Sequence, residues 1–183
     1  MNAVEHIVEQ YFRVCKKCFT IPDVKVIDGN NRQFDLLAYN LNEGRQYHVE
    51  SSVTVIPTWN KYKDEFIESY LDRKFFGIAE GKNNDFGHRK NYEKSIRETY
   101  DQYGFKFEHV NRIWVIWTDK YIDNIQSVLD KYRKNRGVYV EITSLRDEII
   151  PGLQKDVDTC NYEDEVLRTI SLLNEMAKQK VLS

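Results

Sequence analysis

Three acidic residues, Glu5, Asp35 and Glu50, sit in stretches that are otherwise largely apolar: AVEHIV, QFDLLAY and YHVESSV. Asp35 and Glu50 fall on two strand-like arms that flank the turn Leu41-Asn42-Glu43-Gly44. A four-residue hairpin loop with glycine at the position needing positive φ pairs Asn40 with Arg45. Counting outward sets Asp35 opposite Glu50, with Cβ atoms about 4.5–5.5 Å apart, where like charges destabilise a sheet. A divalent cation would resolve the repulsion. Mg²⁺ prefers oxygen ligands in octahedral geometry and is often held by one or two carboxylates with waters completing the shell. The other reading of the same spacing is a solvent-exposed sheet face with its carboxylates in water.

The elements that must position these groups follow from periodicity. Val4, Ile7, Val8, Tyr11, Cys15 and Cys18 share one face of a helix over 2–19, with Pro22 as its stop. A short strand is expected at 24–27, then strands at about 32–40 and 45–56, ended by Pro57. Thr58 or Asn60 caps a helix to about residue 76. Residues 77–91, GIAEGKNNDFGHRKN, read as a loop, followed by a helix over about 89–103 with Tyr92, Ile96, Tyr100 and Tyr103 at helical spacing. RIWVIW (112–117) has the character of a strand buried on both faces. A helix at 121–135, a strand at 138–143, a turn of helix at 144–150 broken by Pro151-Gly152, and a helix at 162–180 complete the chain. This order implies an α/β fold, a mixed sheet of about five strands with helices on both faces and a C-terminal helix. The whole is expected to be one domain over 1–183, with its core at 2–143 and a helical extension at 144–183.

Bulk composition narrows the function classes. With 183 residues, 41% hydrophobic and 31% charged, the chain is long enough for a sizeable core and is neither disordered nor membrane-like. No run of about 18 apolar residues is present, and the acidic N-terminus MNAVEHIVEQYF lacks a basic leader, so a cytoplasmic protein is expected. A net charge of −2 removes the simplest argument for nucleic acid, though local basic patches can still hold phosphates. Cys15, Cys18 and Cys160 lack the second cluster that a structural zinc needs, and are expected to be reduced thiols. There is no GxSxG and no Gly-rich phosphate loop.

The order of elements, with Asp35 in one strand and Glu50 two residues before Ser52 in the next, resembles the PD-(D/E)xK nuclease superfamily, which includes restriction endonucleases and archaeal Holliday-junction resolvases. That signature is an Asp, a gap of about ten to twenty residues, then Glu-x-Lys. Members often add a glutamate on the first helix, in a pattern like A-E-x-x-x-V; here Glu5 in Ala3-Val4-Glu5-His6-Ile7-Val8 fits best, with Glu9 as the fallback. The resemblance covers about residues 2–143. It implies a restriction endonuclease-like sheet and a metal-dependent phosphodiester hydrolase using Mg²⁺, with Mn²⁺ as a substitute. The ligands would be Asp35, Glu50, the Ser51 carbonyl and Glu5.

This sequence departs from the pattern at position 52, where Ser52 replaces the lysine. From Glu50 to Pro57 the strand advances roughly 23 Å at about 3.3 Å per residue. A helix returning antiparallel at 1.5 Å per residue needs about fifteen residues, which lands at Arg73-Lys74. Lys74 is therefore the expected stand-in. His48, on the Glu50 face, is expected as a hydrogen-bonding neighbour. Phosphate contacts are expected from Lys82, His88, Arg89 and Lys90, with a second basic run at Lys131, Arg133, Lys134 and Arg136. The expected partner is nucleic acid, most simply DNA, and the expected oligomer a homodimer. The alternative is a degenerate nuclease fold kept as a nucleic-acid-binding or protein-interaction module.

Overall fold

The computed structural model describes residues 2–53, 64–79, 90–119 and 125–181, with backbone alone for 64, 65, 79, 90, 180 and 181. The chain opens with helix α1 (Ala3–Val14). Three antiparallel strands follow, β1 (Phe19–Lys25), β2 (Gln33–Asn40) and β3 (Arg45–Ser51). Helix α2 (Asp64–Phe75) leads to a small hairpin, β4 (Ile78–Ala79) with β5 (Lys90–Asn91), and to helix α3 (Glu93–Gln102). Strand β6 (Val110–Ile116), helix α4 (Ile125–Arg136) and strand β7 (Val140–Ser144) then add a parallel half to the sheet. A π-helical turn at Leu145–Ile149 runs into α5 (Ile150–Asp156), and α6 (Glu165–Val181) ends the description. The result is an open five-stranded mixed sheet of order β1-β2-β3-β6-β7, an α/β fold. Among the described residues no helix is long and apolar enough to cross a membrane.

Two apolar layers hold helices to opposite faces of this sheet. On one face, Ile67, Leu71 and Phe75 of α2, Ile96 and Tyr100 of α3, and Leu129 and Tyr132 of α4 pack on Phe34, Leu37, Trp114 and Val140. On the other, Val8 and Phe12 of α1, Leu153 of α5 and Leu167 and Ile170 of α6 pack on Leu36, Val49, Ile113 and Val115. Strand β6 feeds both layers with alternate residues, which is why its sequence is apolar throughout. At about 25 cal/mol per Å² of apolar surface removed from water, these two layers are the principal favourable term.

Several boundaries differ from those expected. Helix α1 stops at Val14, not at residue 19, because Cys15 caps it and Lys17 takes φ 54°. Cys15 and Cys18 therefore leave the helix, and both are free thiols, with Cys18 buried. Pro22 does not stop a helix but sits inside β1 opposite Leu36. Strand β1 is an edge strand, the place in a sheet where proline is tolerated. Pro151-Gly152 is no break either. Pro151 occupies the first turn of α5, where its N–H would be unsatisfied anyway. A side chain at position 152 would meet the Tyr11 ring at 2.9 Å, so glycine is what lets α5 approach α1.

Candidate active site

The hairpin register is the one counted from its turn. Asn40 pairs with Arg45 and Leu36 with Val49, and Gly44 takes φ 64°. Alternation nevertheless breaks at Asp35. Leu36 and Ala38 face one core layer, whereas Leu37 and Phe34 both face the other. Asp23 of β1, between the Pro22–Leu36 and Val24–Phe34 pairs and so across from Asp35, has φ 52°. The Asp35 Oδ2 accepts the Ser51 backbone N–H at 2.7 Å.

Glu50 does not point into water. It is 2% exposed and its neighbour His48 is 0% exposed. The Glu50 Oε1 lies 2.9 Å from His48 Nε2, and Oε2 accepts from Lys74 Nζ at 2.8 Å. His48 Nδ1 in turn lies 2.6 Å from the Tyr100 hydroxyl. An ionised carboxylate only accepts, so Nε2 carries the imidazole proton and Tyr100 donates to Nδ1. A polar chain, Tyr100–His48–Glu50–Lys74, thus runs through one core layer with its donors and acceptors matched. Lys74 reaches it because α2 packs back against β3, with Ile67 and Leu71 on its buried face.

The electrostatics separate the two acids. Burial raises the Asp35 carboxyl to about 7, aided by the charge of Glu50 and, more weakly, of Glu5, against the opposing pull of the Ser51 N–H and Lys74. Burial would raise Glu50 as well, but the His48 N–H and the Lys74 ammonium outweigh it and hold Glu50 below its ordinary value. Burial lowers His48, keeping the imidazole neutral. Burial alone would lower Lys74, but Glu50 outweighs it and raises the ammonium above its ordinary value.

The remaining expected residues are placed as follows. Ser51 ends β3, and its Oγ is buried with no hydrogen-bond partner among the described residues. Ser52 follows, its Oγ bonded to the Tyr70 hydroxyl, and Tyr70 stacks on Trp114 with ring centroids 4.6 Å apart. Glu5 is turned back on Asn2, accepting from its backbone N–H and side-chain amide at 2.7 and 2.6 Å in a capping box. The N-x-x-E spacing at 2–5 is the signal for this use. Its charge reaches Asp35, but its oxygens serve the start of α1. Glu9, the fallback for Glu5, is buried and accepts from Thr20 Oγ1 at 2.8 Å. Lys82, His88, Arg89 and the Lys90 side chain lie outside the described residues. The second basic run is largely neutralised within the fold: Lys131 pairs with Glu68, Arg133 with Asp130 and Arg136 with Asp72.

Glu50 and Lys74 open onto a cleft of about 320 Å³ that Asn30, Asn31, Arg32 and Tyr92 also line. Arg32 was not anticipated from sequence. A larger cavity, about 510 Å³, lies elsewhere, between Lys16, Arg45, Tyr47 and Glu141, and none of the four residues Asp35, Glu50, Ser52 and Lys74 lines it. Glu50 and Ser51 end a strand that runs parallel to β6, and the mouth at strand carboxyl ends is where α/β sheets commonly bind ligands.

The donor set suits a hard cation in chemistry: two carboxylates, one with its pKa raised by burial and then by the other's charge, beside a buried Ser51 hydroxyl with no hydrogen-bond partner among the described residues. Both Glu50 oxygens are already engaged by His48 and Lys74, however. Among the described residues no three His, Cys, Asp or Glu side chains form a ligating group as they stand. No protein-family model matches the chain, and neither a curated protein nor a solved structure is significantly similar to it.

Proposed function

We propose that this cleft hydrolyses nucleic-acid phosphodiesters, DNA first among them, in a reaction supported by Mg²⁺ or Mn²⁺. The observation that carries the reading is Lys74 on Glu50 at 2.8 Å, one residue before the Ser51 N–H that holds Asp35. Two acids and a helix-borne ammonium are the groups that the PD-(D/E)xK pattern assembles, with the lysine moved from position 52 to α2. The mixed sheet with helices on both faces supports the same family reading. Asp35, Glu50 and the Ser51 carbonyl would hold the ion, and Glu5 would act only through its charge. A divalent cation there supplies Lewis acidity and an acidified water. The chain's own residues do the rest. Asp35, raised to about 7, gives up its proton near neutral pH and is then able to serve as a ligand. Lys74 places positive charge where the phosphoryl oxygens become more negative. His48 keeps Glu50 ionised and oriented.

The test is incubation of plasmid, linear and single-stranded DNA, with RNA in parallel, in Mg²⁺ or Mn²⁺. Cleavage by the native protein that Asp35→Ala and Glu50→Gln both lose supports the proposal. Equal cleavage by either variant marks a contaminant and removes it. A second reading, a nucleic-acid-binding module without hydrolysis, is favoured by one observation: Glu50 has both oxygens committed within the fold. Binding without cleavage under any metal would select it. The reading further places the protein in the cytoplasm and allows two-fold association, which light scattering would measure directly.

A further inference from the structure

We infer that Arg32, with the Asn30-Asn31 turn, forms a subsite that grips a backbone phosphate of the nucleic-acid strand next to the scissile bond. This rests on the phosphodiester reading above, and extends it to a residue that the family pattern does not assign.

The turn holding Arg32 is tightly specified. Asp28, Asn30 and Asn31 all have positive φ, at 49°, 49° and 66°, a conformation that Asp and Asn tolerate better than most side chains. The Gly29 N–H donates to the Val26 carbonyl, the Arg32 N–H to Gly29, and the Val26 N–H to Arg32. The Arg32 backbone is thus pinned from both sides, one residue before β2 begins. Its side chain is pinned as well. Nη1 donates to the Arg73 carbonyl in the last turn of α2, and the guanidinium lies 5.7 Å from the Tyr92 ring centroid.

Neither contact neutralises the charge. The Arg73 carbonyl uses one of five N–H donors, and among the described residues no carboxylate forms an ion pair with Arg32. Glu50, on the same cleft, is already matched by Lys74. The cleft therefore carries, beside Glu50, a planar cation held in place that has no ion-pair partner among the described residues. A forked guanidinium fits a phosphate through two parallel N–H···O bonds, which a neutral substrate would not require. Asn30 and Asn31 supply amides along the same rim, and burial, which lowers the guanidinium, is countered first by the charge of Glu50.

The experiment is calorimetric titration of the full chain, without metal and at low salt, with a nucleoside 5′-monophosphate and with the matching nucleoside. The monophosphate should bind at least tenfold more tightly. Arg32→Gln should erase that difference, while Lys155→Gln, a charge removed from α5 on the opposite face of the sheet, should leave it intact. Asn30→Asp provides a variant that leaves Arg32 and its contacts in place; the added negative charge on the rim should weaken the monophosphate and spare the nucleoside. With a duplex oligonucleotide, the slope of log affinity against log salt should fall by about one in Arg32→Gln. Equal affinity for nucleoside and monophosphate, or native affinity in Arg32→Gln, overturns the subsite. Because no metal is present, absence of cleavage by the native protein would leave a positive titration standing. Cleavage by Arg32→Gln with an unchanged KM would remove the subsite and keep the hydrolase.

Discussion

Remove the Lys74 ammonium and Glu50, 2% exposed, keeps only the neutral imidazole of His48 as a donor. Breaking a fully buried pair costs about 3–5 kcal/mol; Lys74 is 27% exposed, so water recovers part of this and Lys74→Ala should lose about 2 kcal/mol in urea unfolding. The proposed DNA cleavage should fall about a hundredfold in kcat in this variant with KM little changed, since the charge matters most in the transition state. Asp35 acts in the opposite sense. Its folded pKa of about 7 stands above the ordinary 3.8. Between these values the native state keeps a proton that the unfolded chain has released, so stability falls as pH rises through that window and levels off above it. Asp35→Asn removes the dependence. The variant should be more stable than the native protein at pH 8 by about 2 kcal/mol, a figure reduced from the roughly 1.4 kcal/mol per pKa unit of full burial. The two should converge near pH 3.5, as denaturant titrations across pH would register. A native protein whose stability rises between pH 4 and 7 at this position would contradict the assignment.

Elements bring these residues together across long sequence separations, and what was legible in the sequence follows from that. The hairpin register could be counted from Gly44 because a tight turn fixes pairing locally. Lys74 could be reached because strand and helix rises are constants. Neither Asp23 at φ 52° nor the shift in facing at Asp35 leaves a mark in periodicity. The Tyr100–His48 contact spans 52 residues, so Tyr100 read only as an aromatic at helical spacing, and Arg32 only as the first residue of a strand. Arg112 was likewise hidden inside an apolar run. It is fully buried, donates to the carbonyls of Val110 and Phe107 at 3.0 and 2.8 Å, and sits 4.5 Å from the Phe107 ring centroid. Arg112→Met would leave both carbonyls unpaired and should cost about 2–4 kcal/mol. Gly77 ends α2 with φ 65°, and a Cβ there would stand 2.7 Å from Tyr92 Cβ. Gly77→Ala combines about 1–2 kcal/mol of left-handed strain with that clash. It should lower stability by about 3 kcal/mol, and weaken cleavage further by moving Lys74 at the end of the same helix.

At the scale of the whole molecule, the site lies where two independently packed layers meet one sheet, and Asp35 is the costly part of that junction. One layer carries the matched Tyr100–His48–Glu50–Lys74 chain, whereas Asp35 is held between a neutral form that the fold prefers and a charged form that the proposed chemistry needs. A divalent ion favours the charged form, so its binding and the stability of the fold should be linked. Above pH 7 Asp35 is ionised and free to accept the ion; at pH 5 it holds its proton and the ion must displace it. The native protein at pH 8 should therefore melt higher in Mg²⁺. At ten times the dissociation constant the gain is about 1.4 kcal/mol, or about 3–5 °C for a chain of this length. The increment should shrink severalfold at pH 5, and vanish at both pH values in Asp35→Asn. Matching ionic strength with NaCl separates this from screening. A shift of equal size in Asp35→Asn would mean that the ion binds elsewhere on the surface, and that the raised Asp35 carboxyl is a feature of packing alone.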